Sequence, residues 1–170
     1  MLCAVAVSAA RRVAKGDVVF AEISALFSGY SGQVLRTYAV GTEPTPLYRA
    51  LYAVAEETFS AVLNVLKPGA TPLEILDAAA PISRSGFKVC DDLLHGFVGG
   101  YLPPVIGTHE RPSGPIPDLV LQENMAVVLQ PSIVTRDGKA GVQIGELLRI
   151  TRDGAERLHQ APWGFRRVGG

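Results

Sequence analysis

The stretch that decides the fold is "VVFAEISALFSGYSGQVLRTYAVG", residues 18–41. Its first half, residues 18–28, is mostly apolar and rich in strand-favouring residues, and its second half, residues 33–41, alternates apolar with polar side chains. The intervening "GYSG" supplies turn-forming glycines. The pattern predicts an antiparallel hairpin that carries one carboxylate, Glu22, and one amide, Gln33, within largely apolar strands.

Two helices are predicted after the hairpin. Apolar residues recur at spacings of three and four from Tyr48 to Leu66, which gives a helix one apolar face. The sequence "TPLE" then supplies a cap at Thr71, a proline suited to the first helical position and a glutamate able to complete a capping box. This second helix is predicted to end near Gly86.

The rest of the chain combines one long irregular segment with further strands. Residues 87–123 have many glycines and prolines and are predicted to be rich in loops. Residues 125–135, "MAVVLQPSIVT", and residues 141–151, "GVQIGELLRIT", are predicted strands, and "RDGAERLH" predicts a tight turn into a short one. With a further strand at residues 3–7, this order predicts an α+β fold with a curved antiparallel sheet.

Composition and charge limit the classes of partner. Apolar residues make up 48% of the chain, which is enough for the core of one globular domain. Lys+Arg and Asp+Glu number 16 each, so the net charge favours neither nucleic acid nor a membrane surface as a partner. The N-terminal "MLCAVAVSAARR" places its basic residues after the apolar run, which is the reverse of a secretory signal, and it is too short to span a bilayer.

The two cysteines, Cys3 and Cys90, lack the spacings of a disulfide framework or a zinc site. They predict free thiols in a reducing cytoplasm, with a Cys3–Cys90 disulfide as the less favoured alternative. We therefore expect a cytoplasmic protein.

Eight polar side chains within apolar strands or beside glycines are the candidates for a functional site. Each taken alone has a simpler explanation, because a strand glutamate usually faces solvent and a buried glutamine can be a hydrogen-bonded core amide. Their combination is more informative than any single member. The eight residues are Glu22, Gln33, His95, His109, Glu110, Gln130, Gln143 and Glu146.

These segments together resemble the creatinase/prolidase/methionine-aminopeptidase superfamily, which has the "pita-bread" fold. The hairpin is similar to the family's paired strands with their Gly-Tyr…Arg-Thr signature, and "HGFVGG…HERP" is similar to its His-Gly-x-Gly…His-Glu-x-Pro loop. The segments "ENMAVVLQPSIVT" and "GVQIGELLRITRDGAERL" resemble its last two functional strands. The resemblance implies an α+β domain over residues 1–170, with helices on the outer face of a curved antiparallel sheet.

The resemblance also implies a domain that is incomplete at its N-terminus. The helix-helix-strand unit that precedes the first hairpin in pita-bread domains, and with it the fold's first helical segment, is missing. One sheet face would then lack its cover, so we expect a homodimer or an association with the missing N-terminal segment.

In metal-dependent members of the superfamily, two aspartates, one histidine and two glutamates hold a pair of divalent ions. The resemblance maps these positions onto Glu22, Gln33, His95, Gln130 and Gly145, the last followed by Glu146. Only the histidine is unchanged, and amides are poor ligands for transition metals. Too few carboxylates remain to balance two buried divalent charges. We therefore expect no metal or other cofactor, with a single weakly bound divalent ion as the alternative.

Creatinase is the metal-free precedent that this resemblance implies, since it cleaves a C–N bond with a histidine and acidic residues. The strand matching the family's upstream catalytic histidine, residues 3–7, has no histidine. The resemblance therefore assigns catalysis to His95, His109 and Glu110. It assigns binding of a small molecule or short peptide to Glu22, Gln33, Gln130, Gln143 and Glu146.

Three functions follow from the resemblance. The first is a metal-independent hydrolase or lyase acting on a C–N bond of a small amide, amidine or amino-acid-derived substrate. The second is an inactive pseudo-peptidase that binds peptides or proteins. The third is a residual metallopeptidase of the Xaa-Pro type.

Overall fold

The computed structural model describes residues 11–169, which form eleven strands and three helices. The predicted strand at residues 3–7 lies outside these described residues. The strands are β1 Val18–Phe27, β2 Tyr30–Val40, β3 Lys88–Val89, β4 Leu94–Phe97, β5 Tyr101–Ile106, β6 Ala126–Leu129, β7 Ser132–Val134, β8 Gly141–Gln143, β9 Gly145–Thr151, β10 Gly154–Arg157 and β11 Arg166–Val168. The helices are α1 Pro46–Val65, α2 Pro72–Ala78 and α3 Ala80–Ser85.

The predicted hairpin is confirmed. Strands β1 and β2 pair antiparallel without a break from Val18, opposite Ala39, to Phe27, opposite Tyr30. The turn is shorter than predicted, because it consists of two residues, Ser28 and Gly29. Both residues have positive φ, 50° and 84°, so β2 begins within the predicted turn.

The strands form two sheets. The larger has the order β1-β2-β9-β6-β4-β5, with β10 added to β9 and β11 added parallel to β2; the smaller has the order β3-β7-β8. The predicted strand at residues 125–135 is therefore divided at Pro131 into β6 and β7, which belong to different sheets. The predicted strand at residues 141–151 is divided in the same way at Ile144 into β8 and β9. Pro131 has no N–H for a ladder hydrogen bond, which explains the first division.

The loop-rich segment at residues 87–123 also contains three short strands that the sequence did not predict, β3, β4 and β5. Strand β4 lies between β5 and β6 in the larger sheet. Strand β5 ends the order of that sheet as described, and a sheet edge tolerates the two prolines Pro103 and Pro104. Pairing with strands distant in sequence thus overrides the local glycine and proline signal.

Helix α1 has the predicted apolar face, with Leu51, Phe59 and Val62 fully buried. The second predicted helix is divided into two helices, α2 and α3. Pro81 has no N–H to donate to the carbonyl oxygen four residues earlier, so the helical hydrogen bonding is interrupted between them. The capping box at Thr71 is confirmed. Among residues 11–169, no helix is long and apolar enough to cross a membrane.

The main core lies between the helices and one face of the curved sheets. It joins α1 residues such as Phe59 to strand residues such as Leu94, Leu129 and Leu148. A smaller apolar cluster lies on the opposite face of the larger sheet and comprises Leu35, Phe97, Val128 and Leu147. The helices therefore cover one face of the larger sheet, as the resemblance implies.

Cys90, which directly follows β3, is disulfide-bonded. The predicted free thiol at this position is therefore wrong, and Cys3 lies outside the described residues. Two cysteines without a spacing framework carry no pairing signal, because pairing depends on proximity in the folded chain. The cytoplasmic location stays a prediction, and free cysteine thiols no longer support it.

A buried ion pair joins the centre of the larger sheet. Nη2 of Arg36 in β2 donates to Oε1 of Glu146 in β9, and the two side chains are only 4% and 1% exposed. Arg36 also donates to the carbonyl oxygens of Gly145, Pro162 and Ala161 at 2.9 to 3.0 Å. One guanidinium thus ties β2, β9 and the C-terminal segment together.

Replacing Arg36 with methionine should lower the free energy of unfolding by about 3–5 kcal/mol, because Glu146 would be left as an unpaired buried charge. The double variant Arg36→Met/Glu146→Leu should recover much of this loss. Urea unfolding monitored by circular dichroism provides the measurement. Arg149→Met, which breaks the exposed Arg149–Glu156 pair, is the control and should cost about 1 kcal/mol or less. Equal losses in the two single variants would contradict the assigned role of Arg36.

Candidate functional site

One face of the larger sheet, opposite the helices, collects most of the candidate residues. Side chains alternate between the two faces of a strand, so pairing between strands shows which residues share a face. Glu22 is opposite Leu35, Leu35 is opposite Gly145, and His95 is opposite Val128. We call this surface the site face; it comprises Glu22, Gln33, Leu35, His95, Phe97, Tyr101, Val128, Gln130, Gly145 and Leu147.

Glu22 and Gln33 form one end of the site face. Nε2 of Gln33 donates to Oε1 of Glu22 across the hairpin. Gln33 is buried and its Oε1 has no hydrogen-bond partner among the described residues, whereas Glu22 is exposed. This end therefore holds a solvent-accessible carboxylate beside an amide oxygen that can still accept a hydrogen bond.

The centre of the site face is apolar and tightly packed around Gly145. A Cβ at this position would lie 2.6 Å from Cδ1 of Leu35 and 3.1 Å from Cβ of Gln130. A side chain here would require these neighbours to move. At the position that the resemblance assigns to a glutamate, the side chains of Leu35 and Gln130 thus occupy the space that a larger side chain would need.

His95 lies at the other end of the site face, beneath an aromatic cover. It is 1% exposed, and the ring of Tyr101 stacks on it with the centroids 4.2 Å apart. Its Nδ1 lies 3.0 Å from the carbonyl oxygen of Gly96. A carbonyl only accepts hydrogen bonds, so Nδ1 carries a proton and Nε2 is the nitrogen able to exchange one.

Asp92 is a buried carboxylate that the sequence analysis did not select. It is 5% exposed, and its Oδ2 lies 3.4 Å from Nε2 of Gln130. Burial raises the pKa of Asp92 to about 6; the charge of Asp91 acts in the same direction and that of His95 opposes it. Burial is the main cause that raises the pKa of the Tyr101 phenol, and the negative charge of Asp92 raises it further. The phenol therefore keeps its proton.

Asp92 and Tyr101 belong to an open cavity beside His95, which we call the Asp92 pocket. It is lined by Asp91, Asp92, Tyr101, Val105, Arg111, Pro112 and Ser113. The available sequence signal was the acidic doublet Asp91-Asp92 directly before an apolar strand. Sequence reasoning missed it because an acidic doublet between two short elements is also typical of a turn.

The structure does not bring His109 and Glu110 onto the site face. Nε2 of His109 lies 2.8 Å from Oδ1 of Asp77 in α2, and both side chains are exposed. Glu110 is exposed in the loop after β5. His109 therefore lies towards the helices, whereas His95 lies on the opposite face of the sheet.

Glu146 and Gln143 also take positions of their own. Glu146 follows Gly145 in β9 and faces the helical side, where Arg36 holds it. Gln143 is buried where the two sheets meet, and its backbone N–H and carbonyl both bond to Oγ1 of Thr37. Its side-chain Oε1 has no partner among the described residues. The site face thus unites Glu22 with Gln33 and His95 with Gln130.

A curved antiparallel sheet with helices packed on one face defines the pita-bread class of aminopeptidase-like proteins. Over residues 2–152 the chain matches the Metallopeptidase family M24 and belongs to that family.

Three known proteins illustrate the relationship. The Xaa-Pro dipeptidase of Pyrococcus furiosus is 29% identical over 154 residues, covering 89% of this chain and 42% of the dipeptidase. Methionine aminopeptidase A of Synechocystis sp. is 28% identical over 168 residues, covering 84% of this chain and 62% of that protein. The solved prolidase structure from Pyrococcus furiosus superposes with a TM-score of 0.77 at 26% identity, over 91% of this chain and 43% of the prolidase. The chain thus spans about two-fifths of the dipeptidase that it matches.

A metal pair, which the family's name leads one to consider, does not fit the residues of the site face. Glu22 is hydrogen-bonded to Gln33, and Gln130 is a neutral amide. Glu146 lies on the other face, where Arg36 neutralises its charge. Among residues 11–169, no group of three or more His, Cys, Asp and Glu side chains is arranged to hold a metal ion. Two divalent ions would therefore lack the carboxylates needed to balance their charge.

The pKa of Asp92 predicts a distinct pH dependence of stability. Because its pKa is about 6 in the folded chain against an ordinary 3.8, the folded state binds more protons between these values. Stability should therefore fall as pH rises from about 4 to about 6. Asp92→Asn should remove this decline and leave the variant more stable at pH 7, by on the order of 2 kcal/mol.

Urea unfolding across this pH range, monitored by circular dichroism, gives the measurement. Asp118→Asn at an exposed position should follow the wild-type curve. A curve for Asp92→Asn that runs parallel to the wild-type curve would show that this carboxyl does not titrate in the window.

Proposed function

We propose that this protein is a metal-independent hydrolase that cleaves a C–N bond in a small amide, amidine or amino-acid-derived substrate. The proposal starts from membership of a peptidase family. The observation that carries it is the donor set of the site face. This face keeps one carboxylate, Glu22, and one imidazole, His95, and offers amides at Gln33 and Gln130.

These groups suit the recognition of a neutral polar substrate. Gln33 and Gln130 are buried, and each has a carbonyl oxygen without a partner among the described residues. An unpaired buried amide oxygen is costly, so a substrate N–H that bonds to it gains the missing interaction. Amide, amidine and guanidinium-like groups all supply such N–H donors.

The hydrolysis needs one group that takes a proton from water and returns it to nitrogen. In this proposal Nε2 of His95 accepts the proton as the water oxygen bonds to the substrate carbon. The C–N bond then breaks, and the same proton passes to the leaving nitrogen. Nδ1 holds the ring in place through the carbonyl of Gly96. The proposal narrows the predicted catalytic set to His95 and assigns no step to His109 or Glu110.

A second candidate, a pseudo-peptidase that binds peptides without turnover, is favoured by the cover over His95. Tyr101 stacks on an imidazole that is almost completely buried. A substrate would reach Nε2 only if Tyr101 gave way. If it does not, the site face is a binding surface with its carboxylate and amides as contacts.

Hydrolysis of a panel of dipeptides and small amides, assayed by release of free amine after treatment with chelator, decides between these functions. We expect turnover to survive the chelator and to fall by about a hundredfold or more in His95→Gln, because general acid–base catalysis would be lost. His159→Gln, a histidine that lies against Gly32, is the matched control and should retain activity. Peptide binding without turnover would favour the pseudo-peptidase. Turnover that required added divalent metal would rule out metal independence.

The apolar surface of β1 supports the predicted homodimer. Among the described residues, β1 pairs only with β2, and its exposed residues include Ile23, Leu26 and Phe27, the last 84% exposed. A long apolar strand whose second edge is unpaired among the described residues is a template for pairing with a second copy of the same strand.

Sedimentation velocity tests this expected dimer. We expect Phe27→Lys to shift the protein towards monomer, because a buried interface would acquire an unpaired charge. Leu158→Lys, at another exposed apolar position, should leave the dimer intact. A wild-type monomer at micromolar concentration would contradict the dimer.

A further inference from the structure

We propose that the Asp92 pocket binds a small zwitterion of the α-amino-acid type, with the ammonium group on the Asp91–Asp92 side and the carboxylate on Arg111. The assignment rests on the proposed function in taking an amino-acid-derived compound as the ligand, but binding alone tests it. The pocket has residues of both charges that such a ligand requires, because Asp91, Asp92 and Arg111 line it and the charge of Arg111 acts on Tyr101 in its wall.

The carboxylate side of the pocket is built and incompletely satisfied. Asp92 is buried, it accepts a hydrogen bond from the Tyr101 hydroxyl, and its contact with Gln130 is long, at 3.4 Å. The other polar atom of that amide, Oε1 of Gln130, is buried without a partner among the described residues. Oδ1 of Asp91 accepts from the backbone N–H of Asp92 at 2.9 Å, which holds the two carboxylates side by side. The hydrogen bonds from Gln130 and Tyr101 come from neutral donors, so a cation would add a charge-assisted interaction that they do not supply.

The guanidinium side is held by a tight turn in the loop after β5. The backbone N–H of Thr108 donates to the carbonyl of Arg111 at 2.9 Å, and that of Arg111 donates back at 3.1 Å. A Cβ on Gly107 would lie 2.2 Å from the carbonyl oxygen of Arg111, so only glycine permits this close approach. The turn fixes the backbone of Arg111 at the pocket, and its planar guanidinium matches a carboxylate in two hydrogen bonds.

The remaining walls of the pocket limit the size and character of the ligand. Tyr101 contributes an aromatic ring, which attracts an ammonium group, while its phenol donates to Asp92. Val105 and Pro112 supply apolar surface that suits a short aliphatic side chain. This combination favours a small apolar amino acid over a long or charged one. The Asp92 pocket also lies beside His95, because Tyr101 contacts both Asp92 and His95.

Three probes separate the two charges of the ligand: L-alanine, N-acetyl-L-alanine without the ammonium group, and L-alaninamide without the carboxylate. Binding to the full chain at pH 7 is measured by isothermal titration calorimetry at millimolar ligand. We expect L-alanine to bind about tenfold or more tightly than either analogue, because each analogue loses a charge-assisted contact.

Two variants assign the charges to their residues. Arg111→Gln should remove the preference for L-alanine over L-alaninamide, and Asp92→Asn should remove the preference over N-acetyl-L-alanine. The exposed-site controls Arg84→Gln and Asp118→Asn should keep both preferences, and circular dichroism should show that every variant is folded.

The outcomes separate this inference from the proposed function. Equal binding of the three probes, or no binding of L-alanine by the wild-type chain, would overturn the zwitterion site whether or not the chain hydrolyses amides. Selective binding of L-alanine by a chain that hydrolyses nothing in the amide panel would support the site and reject the hydrolase.

Discussion

The buried pair of Arg36 and Glu146 is the constraint on which the centre of the larger sheet depends. Desolvating two charges is expensive, so the pair persists only because the guanidinium also satisfies several backbone carbonyls. The pair fixes Glu146 on the helical side of β9. Since neighbouring residues of a strand face opposite sides, it also fixes Gly145 on the site face. There the close packing of Leu35 leaves no space for a side chain.

This arrangement gives the site face a character unlike that of a centre for two cations. Its middle is an apolar cluster that includes Leu35 and Val128, and its polar groups other than Gln130 lie at the two ends. Most of these groups are neutral amides or an imidazole, which are cheaper to bury than uncompensated carboxylates. Asp92 is the exception, since it stays buried beside the face with a raised pKa. The proposed catalytic histidine and the proposed zwitterion pocket both lie at the end of the sheet where His95, Tyr101 and Asp92 meet.

Local sequence signals predicted the elements whose stability is mainly local. The hairpin of β1 and β2 has a short connection with a two-residue turn, and α1 has an apolar stripe of helical period together with a terminating "KPG". The same reasoning failed for β4 and β5, whose glycines and prolines favour loops. Those strands exist because β6 offers a paired edge to β4, and β6 lies about thirty residues later in the chain. The Asp92 pocket likewise depends on pairing between β4 and β5, which brings the loop with Arg111 near Asp92, so the acidic doublet alone did not indicate it.

By itself, the sequence determined the class of the fold and the chemical identity of the donors: a carboxylate at Glu22, amides at Gln33 and Gln130, and an imidazole at His95. The fold class follows from the order of the predicted elements and the choice of donors from the family resemblance, and neither requires a folded chain. Only the tertiary structure decided which donors meet. It turned Glu146 towards Arg36, sent His109 to Asp77, and gathered Asp92 and Tyr101 around His95. The physical reason is that strand register and burial, which depend on contacts between distant segments, set the direction and the solvation of each side chain.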